Sequence, residues 1–113
     1  MDRRKALLLR RQRLIEQLPP LEEMVRGSLF ERRLRCGRVG CHCAQGEGHR
    51  VWYLTVSFAG RRTEQVTVPP ALVPRVRQWV RNYGRWWAIV EEVSAINRQL
   101  LRRRWLEGGK EER

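Results

Sequence analysis

The sequence has almost no aspartate, almost no lysine and few cysteines. Asp2 is the lone aspartate, Lys5 and Lys110 are the lone lysines, and all three cysteines fall between residues 36 and 43. An odd cysteine count is a poor basis for a disulfide framework. Acids are sparse outside the two tails, with Glu31 and Glu64 on predicted strands and Glu91 and Glu92 on a predicted helix. Two-metal nuclease chemistry, which needs clustered carboxylates, is therefore disfavoured. No P-loop and no GxGxxG occurs. No apolar run approaches the ~18 residues of a membrane span. The opening "MDRRKALLLRRQRL" holds three leucines between arginines, too short for a secretory signal. An arginine-rich amphipathic start can also belong to a mitochondrial presequence, but this one leads straight into a predicted helix, so the cytoplasm is the expected compartment. Cysteines there are usually reduced.

What the chain has in excess is positive charge. Among 113 residues, 24 Lys and Arg stand against 12 acids, giving a net charge of +12 and a pI near 11.4. A GC-rich coding bias explains arginine over lysine but not base over acid. A small domain this basic is expected to meet a polyanion. Arginine adds bidentate phosphate contact and stacking on bases, which lysine does not offer. From Glu64 to Glu91 there is no intervening acid.

Residues 3 to 18 are predicted as a helix, with Leu7, Leu8, Leu14, Ile15 and Leu18 on one stripe. Pro19 and Pro20 end it, and "LEEMVRG" is expected to add one turn. Three strands follow: "SLFERRLR" (28–35), "VWYLTVSF" (51–58) and "RRTEQVTV" (61–68), the last two joined at Ala59-Gly60. In the middle strand Trp52, Leu54, Val56 and Phe58 are predicted to face the core, and Tyr53 to be exposed. From Pro74 to about Leu106 a helix of ~32 residues, roughly 48 Å long, is expected. Leu72, Val76, Trp79, Tyr83, Trp86, Val90, Val93, Asn97 and Leu100 trace a heptad seam along it. Asn97 would then be either the buried polar residue that fixes register or an exposed residue on a fraying end. The fold class predicted is α+β, with an N-terminal helix, a three-stranded antiparallel sheet, and a long C-terminal helix packing on the N-terminal helix or on a second copy. Residues 1–106 are assigned to one domain and 107–113 to a polar tail.

The stretch "RCGRVGCHCAQGEGHRVWYL" holds every cysteine and histidine of the chain. Cys36, Cys41, Cys43 and His49 follow a C-x4-C-x-C-x5-H spacing, and thiolate and imidazole are the preferred ligands of zinc. Glycines at 37, 40, 46 and 48 allow a tight loop. Four protein ligands leave no open position, so the zinc expected here is structural. His42 is the alternative to His49. Free thiols and a redox sensor are the other readings, but there is no C-x-x-C pair at a helix start to support the latter. A cysteine nucleophile would compete with the metal for the same groups, and no enzyme activity is expected.

These motifs resemble an uncharacterised family of small bacterial and archaeal proteins, catalogued as a domain of unknown function. Arg26-Gly27-Ser28, the loop from Cys36 to Cys43, Gly48-His49 and the run Glu92 to Asn97 carry the resemblance, which extends over residues 19 to 104. Arg50 and Val51 stand where the family often has Gly-Pro. The resemblance implies one domain and the four metal ligands, and it implies no activity. The strand-turn-strand segment is also similar to the small sheet domains with which some phage integrases grip DNA, an analogy of fold alone.

The arginines define the expected binding surface. Arg32, Arg33, Arg35, Arg38, Arg50, Arg61 and Arg62 lie on or beside the strands and loop, with Tyr53 as the exposed aromatic. Arg75, Arg77, Arg81 and Arg85 follow on the long helix, and Arg98, Arg102, Arg103 and Arg104 form a second cluster. No helix-turn-helix, RRM or KH signature appears. The expected partner is nucleic acid, structured RNA ahead of duplex DNA, bound by shape and phosphate. A homodimer through the long helix is the expected protein contact, and neither a membrane nor a small-molecule substrate is expected. The rival reading is an assembly module, a zinc knot with a coiled-coil arm, accessory to a larger nucleic-acid enzyme or to mobile-element machinery.

Overall fold

The structure, a computed structural model, describes residues 2–34 and 48–106. It is α+β, with helix α1 (Arg3–Glu16), strands β1 (Ser28–Leu34), β2 (His49–Ser57) and β3 (Thr63–Val68), and helix α2 (Val73–Arg102). Short 3-10 turns occur at Leu21–Glu23, Ala59–Arg61 and Pro70–Leu72. Among the described residues no helix is long and apolar enough to cross a membrane. The chain forms two compact units, one joining Met1–Pro20 to Gly84–Arg113 and the other comprising Leu21–Tyr83. Each has its own core.

The first unit is built from α1 and the later part of α2. Asp2, the lone aspartate, caps α1: its Oδ1 accepts from the Lys5 amide at 2.7 Å, satisfying one of the amides that a helix start leaves unpaired. Leu14, Ile89, Ile96 and Leu100 are buried together, with Leu7, Leu8, Leu18, Val93 and Trp105 packed around them. The α2 residues in this set are Ile89, Val93, Ile96 and Leu100, which differs from the expected heptad seam. Asn97 is exposed and accepts from Arg11 Nη1 at 2.8 Å, while Ile96 takes the buried place. Ile89 and Ile96 thus lie one residue before Val90 and Asn97 of the expected seam, while Val93 and Leu100 are common to both.

Helix α2 ends at Arg102, short of Leu106. The Trp105 amide donates to the Leu100 carbonyl at 2.8 Å and the Arg104 amide to the Leu101 carbonyl at 3.0 Å, with Arg104 at φ 58°. This is a Schellman closure, with an arginine where glycine is usual and Trp105 folded back toward the core.

The second unit is the sheet, in the order β1-β2-β3 and antiparallel throughout. Phe30 pairs with Tyr53 and Tyr53 with Thr67, while Glu31 pairs with Trp52 and Trp52 with Val68. Strand alternation therefore puts Phe30, Arg32, Tyr53 and Thr67 on one face. Leu29, Trp52, Leu54, Val56 and Val68 lie on the other. Leu54, Val56 and Val68 are buried with Val73, and Val25, Leu29, Trp52, Val76 and Val80 pack against them. The expected core face of β2 is thus observed for Trp52, Leu54 and Val56, whereas Phe58 is 38% exposed. Strand β2 begins two residues earlier than predicted and β3 two residues later. The hairpin turn is wider than Ala59-Gly60, because the Phe58 amide closes it on the Arg62 carbonyl at 2.7 Å.

Two glycines are required by geometry. A Cβ on Gly48 (φ 91°) would lie 2.7 Å from the Leu34 carbonyl oxygen, and one on Gly27 (φ 148°) would lie 2.9 Å from Leu54 Cδ1. Both positions demand a conformation and a closeness of approach that side chains resist.

Candidate nucleic-acid interface

Of the expected site residues, Arg35, Arg38, Cys36, Cys41 and Cys43 lie outside the described residues, as do His42 and the 107–113 tail. His49 is the first residue of β2 and pairs in register with Leu34, the last residue of β1. The segment that carries the cysteines therefore leaves from one strand and returns to its immediate neighbour.

Arg32, Arg33, Arg50, Arg61, Arg62, Arg75, Arg77, Arg81 and Arg85 are exposed. They do not form a single patch. On one sheet face Arg32 lies 5.8 Å from the Phe30 ring centroid and 5.7 Å from that of Tyr53. The two rings are themselves 5.6 Å apart and tilted by 31°. Tyr53, expected to be exposed, is half-buried, because Phe30 across the ladder and the Arg32 stem cover part of it.

On the other face Arg33 and Arg50 stand directly opposite each other. Like charges so placed repel, and Arg50 Nε lies 2.9 Å from Glu31 Oε2. Arg77 reaches this face from α2 and lies 5.5 Å from the Trp52 ring centroid. Arg81, one turn further along α2, donates to Gln78 Oε1 at 3.2 Å. Arg75 lies beside Glu23, Gln78 and Trp79 around a shallow depression. Arg85 belongs to the part of α2 in the helical unit.

At the turn end of the sheet, Arg61 and Arg62 are joined by a residue that sequence reasoning left out of the binding set. Arg26 lies 5.0 Å from the Phe58 ring centroid, and its Nη1 donates to the Ser57 carbonyl at 2.8 Å. The signal for it was the pairing register. Ser28 opposite Thr55, continued two residues outward, brings Arg26 to Ser57. That register is invisible until the strands are paired.

The arrangement combines exposed guanidinium groups with aromatic rings and carbonyls that hold them. Such groups keep their full charge and lose less freedom on meeting an anion. No catalytic constellation of nucleophile, base and orienting group is assembled among the described residues.

The family described as domain of unknown function DUF6788 matches residues 4–78, and the chain belongs to that family. No curated protein and no solved structure matches it.

Proposed function

We propose that this DUF6788 protein is a non-catalytic, cytoplasmic nucleic-acid-binding protein that takes structured RNA ahead of duplex DNA. The observation that carries the reading is the state of the arginines in the sheet unit. Arg26, Arg32, Arg62 and Arg77 lie over aromatic rings, and among the described residues none of them is paired with a carboxylate, so their charge is held in place without a described counter-charge. Polyanion backbones bind through such groups, with release of condensed counterions.

A structural zinc held by Cys36, Cys41, Cys43 and His49 is part of the proposal. The donor set suits zinc, and the pairing of His49 with Leu34 supports it by bringing the two ends of the cysteine segment together. Zinc there would cross-link β1 to β2 and steady the arginines beside them. Elemental analysis is expected to give one zinc per chain, and EDTA to lower the melting temperature. A metal-free protein with an unchanged melting temperature would remove zinc from the proposal.

A second reading, assembly with a protein partner or with a second copy, draws on one feature of the helical unit. Val90, Val93, Ser94, Asn97, Arg98 and Leu101 line a shallow depression on α2, and Leu101 is 62% exposed within it.

The deciding experiment is fluorescence anisotropy with a labelled RNA hairpin and a labelled DNA duplex from 50 to 500 mM salt. Binding by phosphate contact should weaken by about 0.7–0.9 log units per log unit of salt for each contact. A flat salt dependence, or no binding at the lowest salt, would overturn the nucleic-acid reading and leave the assembly module.

A further inference from the structure

The turn between β2 and β3 breaks two local rules at once. Gly60 (φ 76°) is followed by Arg61 at φ 64°, whereas hairpin turns with two successive positive-φ residues favour Asn or Gly at these positions. An arginine in that conformation is a strained choice, and strain of this kind clusters at functional sites. Beside it, two like charges share one ring: Arg26 lies 5.0 Å and Arg62 5.3 Å from the Phe58 centroid. The two guanidinium groups are thus held within about a Debye length of each other at 0.1 M salt. Arg26 is further fixed by its bond to the Ser57 carbonyl, and the backbone under Arg62 by its bond from the Phe58 amide. Glu64, the nearest acid in sequence, is paired in register with Val56 on the strand.

We propose that Arg26 and Arg62, held over Phe58, together with Arg61 in the adjoining turn, form a phosphate clamp at the tip of the β2–β3 hairpin that grips adjacent phosphodiesters of a nucleic-acid strand. The proposal rests on the polyanion reading above and gives it a location. A guanidinium presents five N–H donors in a planar fork matched to phosphate oxygens. Arg26 spends one nitrogen on Ser57 and keeps the others. An anion between the groups would relieve their mutual repulsion. Ring and carbonyl contacts have already removed much of the side-chain freedom that binding would otherwise have to remove.

Arg61→Gly separates binding from folding. Glycine accepts the positive φ, so the melting temperature is expected to hold or rise by a few degrees. The log–log salt slope for the RNA hairpin should shrink by about one unit, the share of a single phosphate contact. The double variant Arg26→Gln/Arg62→Gln should bind the hairpin about tenfold or more weakly at 100 mM salt, as expected for lost charge-assisted bonds. Arg13→Gln, on the exposed side of α1, should bind like the parent. A second measurement follows the arginine Nε–H resonances of the full chain during titration with inorganic tripolyphosphate and, separately, with the RNA hairpin. Shifts of Arg26, Arg61 and Arg62 in both titrations support the clamp. Shifts with tripolyphosphate but no RNA binding keep the anion site and overturn the nucleic-acid reading. RNA binding with these three resonances unmoved and Arg61→Gly at parental affinity overturns the clamp and leaves the broader function standing. If an acidic peptide shifts them and neither phosphate probe does, the clamp is a carboxylate site and the proposal fails.

Discussion

In the helical unit arginines of α1 reach across to α2 and to the residues that close it. Arg4 donates to the Trp105 carbonyl at 3.0 Å, Arg10 pairs with Glu92, and Arg11 donates to Asn97. In the sheet unit Arg26, Arg32, Arg62 and Arg77 lie over rings, and Arg50 is joined to Glu31. One residue type thus serves two purposes. A helix pair with few buried side chains uses arginine as a tie between its members. The sheet, whose strands are already joined by the backbone ladder, holds several of its arginines over rings instead. A count of arginines alone therefore overstates the binding surface, because those between α1 and α2 are partly spoken for.

The contrast can be broken most severely through the helical core. Leu100 is fully buried, and Leu100→Ala should destabilise that unit by about 2–5 kcal/mol, read as a lower denaturation midpoint. Hydrogen exchange would sharpen the comparison. Amides of α1 are expected to lose protection first, and a sheet that loses protection equally would show that the two units unfold as one.

Exchanging the two arginine sets comes next in size. Arg32→Gln/Arg77→Gln should reduce RNA affinity at 100 mM salt several-fold and flatten the salt slope by about two units, with little effect on melting. Arg4→Gln/Arg11→Gln should do the reverse, lowering stability by about 1–2 kcal/mol through lost hydrogen bonds while the salt slope stays near parental. Equal slopes in the two variants would erase the distinction.

A smaller effect is expected at the end of α2. Arg104→Gly should raise stability by about 1 kcal/mol, since glycine occupies the left-handed position at little cost. No gain would mean that the Arg104 side chain contributes a contact that offsets the strain. The smallest effect belongs to Glu92→Gln. Arg10 and Glu92 are 61% and 47% exposed, and exposed pairs contribute only about 0.2–1 kcal/mol. Its loss should fade in 0.5 M salt, where such pairs are screened.

Much of the architecture was readable in advance because it follows from local rules. Pro19 and Pro20 bound the first helix, alternation in β2 marked Leu54 and Val56 as core, and the run after Pro74 could only be one long helix. The misplacements have physical causes too. The expected seam placed Val90 and Asn97 where Ile89 and Ile96 are buried, one residue earlier in each case. The helix takes part in two different cores. The arginine candidates were legible as a set, but Arg26 was not among them, and Tyr53 was expected to stand clear of its neighbours.

The sequence by itself determined the order of elements, the excess of positive charge and the grouping of all potential soft metal ligands in one segment, since composition and short-range spacing suffice for these. Only the tertiary structure decided which arginines tie helices together and which lie open over rings. It also placed Arg26 beside Phe58 and opposed His49 to Leu34. Those facts depend on strand register and helix pairing, which join residues far apart in the chain and leave no trace in local spacing.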